Sequence, residues 1–254
     1  MREDRNNDTI LLLTNSNGQG GLKMYLLLCA MKEEVSDIIR KVEVSEKYTI
    51  LNMDYYRGHF GGAEVLVGQT GVGKVMSAMI TQKLSDLFKP EAIIFSGIAG
   101  AINPLLDIGD IVVSADCLQH DFDASSLGFK IGEIPYTGLR IIESDRALFE
   151  KAMTFKAEGI KVVKGRILTG DQFISKASEE KKKILKVDLE GDAVEMEGAS
   201  VAFTAYMNNI PFLLIRVISD RADGNAPHDF KKFLKRSSLL LSGMVFHILQ
   251  KQRN

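Results

Sequence analysis

The chain has 254 residues, of which 45% are hydrophobic and 26% charged, with a formal net charge of −1. That length allows one large α/β domain or two small ones, and the apolar share is enough for a sizeable core. The balanced charge lacks the basic excess of a nucleic-acid or polyanion binder. No apolar run approaches the ~20 residues of a membrane-spanning helix.

Residues 1–22 are polar, end in an Asn/Gly-rich stretch, and read as a disordered extension, with 23–254 as one domain and Met24 as an alternative start. A first buried strand is expected over 24–30. It is too short for a membrane span, and Lys32-Glu33-Glu34 follows where a signal peptide would carry a small-residue cleavage site. Leu28 before Cys29 argues against a lipid anchor, so a cytoplasmic protein is expected. Helix 31–43 comes next, then strands 48–56 and 63–69. Helix 74–88 follows, with Val75, Ala78, Met79, Leu84 and Leu87 near helical spacing. Strands 91–96 and 110–116 precede a long loop, 117–139, whose apolar Phe122, Leu127 and Phe129 require cover from a ligand or a second subunit. The remaining expectations are helix 145–155, strand 160–168, helices 178–187 and 197–208, strand 211–218 and helix 228–250. Several strands are Val/Ile-rich without alternation, as strands covered on both faces are. Strands and helices in alternation predict a single-domain α/β fold, a three-layer α/β/α sandwich around a mixed central sheet. Cys29 and Cys117 form neither a metal pair nor a C-x-x-C motif, and both read as buried, reduced thiols of a reducing compartment.

Six short motifs carry candidate chemistry, and five of them have a plain structural alternative. Glu195-Met196-Glu197 opens an apolar helical run, and Ser219-Asp220 closes the strand that follows. Ligands of open α/β sheets bind outside the carboxyl ends of strands, so acids placed there suit acid-assisted bond cleavage. The alternative for Asp220 is a turn cap. Gly68-Gln-Thr-Gly-Val-Gly73-Lys74 nearly matches the phosphate-cradling loop, but Val75 replaces its metal-holding Ser/Thr. Ser96-Gly-Ile98-Ala-Gly100-Ala101 leaves room for a flat ligand or is only a tight turn. Met31-Lys-Glu-Glu34 opens the first helix, where acids complement the helix dipole unless one faces inward. Gly170-Asp-Gln-Phe173-Ile174 places an aromatic at a strand end, either to stack on a base or to fill the core. No metal or cofactor is expected, because His120 and His228 lack neighbouring ligands in sequence.

Together these pieces resemble the nucleoside phosphorylase and nucleosidase superfamily, and within it the bacterial 5′-methylthioadenosine/S-adenosylhomocysteine nucleosidases. The similarity spans about Met24 to Gln250 and rests on AMKEEV (30–35), TGVGK (70–74), SGIAGA (96–101), IGDIVVS (108–114), GDQFIS (170–175), VEMEG (194–198) and IRVISDRAD (215–223). The resemblance implies a nucleoside phosphorylase-like fold, a homodimer and a place in methionine salvage. It implies that Asp220, beside Ser219, protonates adenine N7, that Phe173 stacks on the base and that Ile174 pairs with its edge through the backbone. Glu197, beside Met196 and Glu195, would grip the ribose hydroxyls. Glu34 would activate water with help from Arg216, near Ile98 and Gly100. Met31, Val72 and Phe230 would line the 5′-thio pocket, and Leu127 of loop 117–139 would cover the neighbouring subunit's pocket. The chain departs from the pattern at Ile98, where the family often has a serine near the water. That contact then falls to Ser96 or Thr70, or is missing. Leu127 stands where an aromatic is frequent.

The chemistry fits these residue types. Cleaving a C–N glycosidic bond needs an acid at the leaving base, and carboxylates opposite to prepare water and to stabilise an oxocarbenium ion. Burial at a strand end would help Asp220 keep its proton. Two glutamates would repel a phosphate dianion, which favours hydrolysis over phosphorolysis. Arg57 is the one nearby arginine that could fold in to reverse that. The alternatives are a purine nucleoside phosphorylase, a futalosine-type nucleosidase, and a non-catalytic nucleoside-binding or surface protein.

Overall fold

The computed structural model describes residues 24–174, 178–221 and 226–250, apart from the side chains of 179 and 226–232. The expected extension 1–22 therefore lies outside the described residues. Among the described residues ten strands form one mixed sheet: β1 (Met24–Cys29), β2 (Glu43–Ile50), β3 (Met53–Phe60), β4 (Ala63–Gln69), β5 (Ala92–Ala101), β6 (Ile111–Gln119), β7 (Ile142–Glu143), β8 (Val162–Thr169), β9 (Ala193–Glu195) and β10 (Phe212–Asp220). Among the described residues six α-helices accompany it: α1 (Lys32–Lys41), α2 (Lys74–Phe88), α3 (Arg146–Met153), α4 (Glu179–Lys183), α5 (Gly198–Met207) and α6 (Ala226–Leu249).

The strand order runs β10-β6-β8-β9-β5-β1-β4-β3-β2, and β10 also pairs with β5, so one half of the sheet closes on itself. β1 is parallel to β4 and β5, and β5 is parallel to β10. Their carboxyl ends therefore share one edge, where a ligand site is expected. Successive residues of a strand face opposite sides of the sheet. In β1, Leu26 and Leu28 pack with Ile80 and Leu84 of α2 and Val201 of α5. Leu27 and Cys29 pack with Ile38 of α1, Ala152 of α3 and Met244 of α6. Both faces of the strand are thus buried under helices, which is why its sequence shows no alternation and why the three-layer reading holds.

The structure corrects several boundaries. The single strand expected at 48–56 is the middle of a hairpin, β2–β3, turning at Leu51 and Asn52. Both have positive φ, 49° and 62°, as a two-residue type I′ turn demands. The usual Asn-Gly signal is absent, so the turn was hidden. The run Ser96–Ala101 is not a loop but the end of β5, paired with β10 and β9. Helix 178–187 divides into α4 and a π-helical stretch, Ile184–Asp188. The short strands β7 and β9 were not anticipated. Loop 117–139 begins later than expected, because Cys117–Gln119 belong to β6. Cys29 and Cys117 are free and buried. Among the described residues no helix is long and apolar enough to cross a membrane.

Candidate active site

The first acid is set by the start of α1. Glu33 points outward, whereas Glu34 is buried. As the third residue of the helix, Glu34 reaches back to accept the Met31 amide at Oε2 (2.9 Å), half of a capping box. Its Oε1 accepts the Ile98 amide from β5 (2.9 Å). Burial pushes the Glu34 carboxyl above its ordinary range, opposed by these amides and by the nearby Arg216. A carboxylate with lowered reluctance to take a proton suits a base that must deprotonate water.

The second acid depends on glycines in β5. Asp220 ends β10 and is 2% exposed. A Cβ on Gly100 would lie 3.0 Å from Asp220 Oδ1, and one on Gly97 would lie 2.9 Å from Glu34 Oε1. The small residues of this strand therefore make room for acids delivered by its neighbours, rather than for a bend. The Ser219 hydroxyl donates to Asp220 Oδ2 (3.0 Å), which fixes the carboxyl orientation.

The third acid is held by a buried scaffold. Glu195 closes β9, and its carboxylate accepts the amides of Glu197 (3.0 Å) and Gly198 (2.7 Å) at the start of α5. It also accepts the Thr169 hydroxyl and pairs with Arg216 Nη2 at 2.7 Å, both side chains being almost fully buried. The Arg216 guanidinium lies 4.5 Å above the Phe95 ring and donates to the Phe95 and Ile215 carbonyls. This arrangement presents Glu197, whose Oε1 accepts the Gly73 amide (2.8 Å). Burial first, then the adjacent Glu195 charge, raise the Glu197 carboxyl to about 8 from an ordinary 4.5.

A raised folded-state pKa gives stability that is present below the unfolded value and is lost as pH rises through the folded value. Glu197→Gln keeps a neutral acceptor for Gly73. Its melting temperature should therefore match the parent near pH 4.5 and exceed it increasingly toward pH 8. Thermal unfolding across that range checks this; a gain that does not vary with pH would contradict it.

The three acids share one cavity of about 380 Å³, walled by residues from the β1–α1 junction, β5, β9 and the turn after it, β10 and the loops after β4 and β8. Of the residues expected at the site, Met31, Glu34, Val72, Ile98, Gly100, Phe173, Ile174, Glu195, Met196, Glu197, Ser219 and Asp220 line it. Two of the expected residues are engaged within the protein. Arg216 is not among the lining residues: it is 1% exposed and pairs with Glu195. Glu195 shows an edge to the cavity, but both its oxygens are occupied by protein donors. Leu127, in a short 3₁₀ turn (Ser125–Leu127), is 70% exposed and does not line this cavity. The Phe230 side chain lies outside those described. Neither proposed substitute for the missing serine faces in. Ser96 Oγ pairs with Cys29 Sγ (3.3 Å), and Thr70 Oγ1 is directed to the Cys29 and Gly71 carbonyls. Ala30, Ala99, Gln172 and Val194 also line the cavity and were missed; the two alanines and the valine are small or apolar residues at or near strand ends that carry no chemical signal of their own.

A comparison with protein families matches residues 25–250 to the model described as "Phosphorylase superfamily". The chain belongs to the phosphorylase superfamily. Among curated members, the 5′-methylthioadenosine/S-adenosylhomocysteine nucleosidase of Staphylococcus aureus (strain JH9) is 34% identical over 223 residues, covering 87% of this chain and 97% of that protein. Two solved structures extend the comparison. The 5′-methylthioadenosine/S-adenosylhomocysteine nucleosidase of Neisseria meningitidis, in complex with methylthio-immucillin-A, superimposes with a TM-score of 0.84 at 32% identity, covering 90% of this chain and 99% of that one. Futalosine hydrolase of Helicobacter pylori does so with a TM-score of 0.83 at 32% identity, covering 89% and 97%.

Proposed function

We propose that this protein hydrolyses the N-glycosidic bond of 5′-methylthioadenosine and S-adenosylhomocysteine, releasing adenine and the 5-thio-ribose product. One observation carries the reading: Asp220, Glu34 and Glu197, from distant parts of the chain, are buried together on one cavity. Asp220 in its acid form gives its proton to purine N7 as the C1′–N9 bond breaks and its electron pair passes to the base. Phe173 stacks on that base and the Ile174 backbone meets its edge. Glu197 takes the ribose hydroxyls. Glu34 accepts a proton from the water that attacks C1′, on the side of the cavity away from the base. Anionic groups near a developing oxocarbenium ion lower its energy in a water-poor site. Met31 and Val72 border the 5′ substituent, and Phe230 joins them by resemblance.

Hydrolysis is favoured over phosphorolysis because three candidate phosphate-binding cations among the described residues already have carboxylate partners. Arg216 is paired with Glu195, Lys74 with Asp121, and Arg57 with Glu64 on the outer hairpin. In a homodimer, the exposed Leu127 would gain cover by reaching over the neighbouring subunit's 5′ pocket. A futalosine-type substrate is the second reading, supported by the fold shared with the Helicobacter pylori hydrolase. A nucleoside panel assayed for free purine base, with and without phosphate, tests all of this. Adenine release from methylthioadenosine at a rate indifferent to phosphate is expected. A rate that depends strictly on phosphate would select a phosphorylase, and base release from futalosine alone would select the second reading.

A further inference from the structure

Lys74 made the glycine loop look like a phosphate cradle, yet it is bound to the protein itself. Its Nζ donates to Asp121 Oδ1 (2.6 Å) and lies 3.9 Å from Asp171 Oδ2. Its backbone amide donates to Asp171 Oδ1 (2.9 Å). The Asp171 amide in turn donates to Asp121 Oδ2 (2.7 Å). The result is a closed ring of three residues from three segments: the first residue of α2, the start of the long loop after β6, and the turn after β8.

The ring sits next to two functional contacts. Gly73, one residue before Lys74, gives its amide to Glu197 Oε1 (2.8 Å). Phe173, two residues after Asp171, and Val72, two residues before Lys74, both line the cavity. Lys74 and Asp121 are largely shielded, with side-chain exposures of 17% and 24%, so their attraction is screened less than that of a surface pair. Charged hydrogen bonds of this kind fix geometry as well as adding energy. Movement of any one segment breaks a contact to both others.

We propose that Lys74, Asp121 and Asp171 form a latch that sets the Glu197-capping turn and the Phe173 loop at a fixed separation, so that the ribose end and the base end of the cavity are held in register. They are positioning residues; none of the three touches the cavity. Because Asp121 opens the long loop that carries Leu127, the latch also ties that loop's base to the site. The inference rests on the proposed nucleosidase reading for its kinetic consequence, but not for its structural one.

The test uses Lys74→Met, Asp121→Asn and the double variant. Each single change is expected to raise KM for methylthioadenosine about three- to tenfold with kcat within about twofold, since ordering of the site is lost but its acids remain. The double variant is expected to be no worse than either single one, because residues of one network do not add. Independently of turnover, amide hydrogen exchange in ligand-free Lys74→Met should quicken together in 70–74 and 170–174 and not in β1. Additive KM effects, a fall in kcat at unchanged KM, or faster exchange in only one of the two loops would overturn the latch. If the parent protein cleaved no nucleoside, the functional reading would fail while the exchange experiment still decided the latch.

Discussion

Asp220→Asn should lower kcat/KM for methylthioadenosine by about 10²- to 10⁴-fold, the usual worth of a positioned general acid. The substitution keeps the shape of the side chain, and its carbonyl oxygen can still accept the Ser219 hydroxyl. What it removes is a proton that can be given to the departing purine. Folding should be almost unaffected, since the space left by Gly100 is already sized for these atoms. The expected signature is therefore a melting temperature near that of the parent with a collapsed kcat. Steady-state kinetics alongside thermal unfolding reads both. Retention of kcat/KM within a few-fold of the parent would mean that another group supplies the proton.

Arg216→Met is expected to cost folding stability first and activity as a consequence. The guanidinium and Glu195 form a buried pair at 2.7 Å, and removing one partner of such a pair typically costs about 3–5 kcal/mol. For a chain of this size that corresponds to a fall of roughly 6–20 °C in melting temperature. The remaining charge on Glu195 would loosen the amides of Glu197 and Gly198 that it now orders, so ribose contacts should suffer as well. Adding Glu195→Gln to Arg216→Met should recover part of the stability, because the carboxamide removes the unpaired charge and retains an acceptor for those amides. A single variant that melts with the parent would show that the pair contributes little to the fold.

Much of this site was legible in the chain because its acids sit at strand ends and helix starts, places that sequence patterns mark. Asp220 closes an apolar strand, Glu34 follows one by a few residues, and Glu197 opens a helix. That Glu34 and not Glu33 faces inward was open until the structure showed its bonds to the Met31 and Ile98 amides. The supporting contacts were hidden for a different reason. Arg216 to Glu195, Gly73 to Glu197 and Lys74 to Asp121 join residues 21, 124 and 47 positions apart, and no local pattern encodes such partners. The glycines of β5 read either as room for a flat ligand or as a tight turn, because the admission of side chains from α1 and β10 exists only once the sheet is assembled. The β2–β3 hairpin was missed because Leu51 and Asn52 turn the chain without the glycine that commonly signals it.

A crystal structure of the protein soaked with adenine examines the central claim most directly. The account predicts the base against Phe173 in the cavity, with an Asp220 carboxyl oxygen about 2.6–3.2 Å from purine N7. Adenine bound elsewhere, or bound there with N7 facing a group other than Asp220, would contradict it.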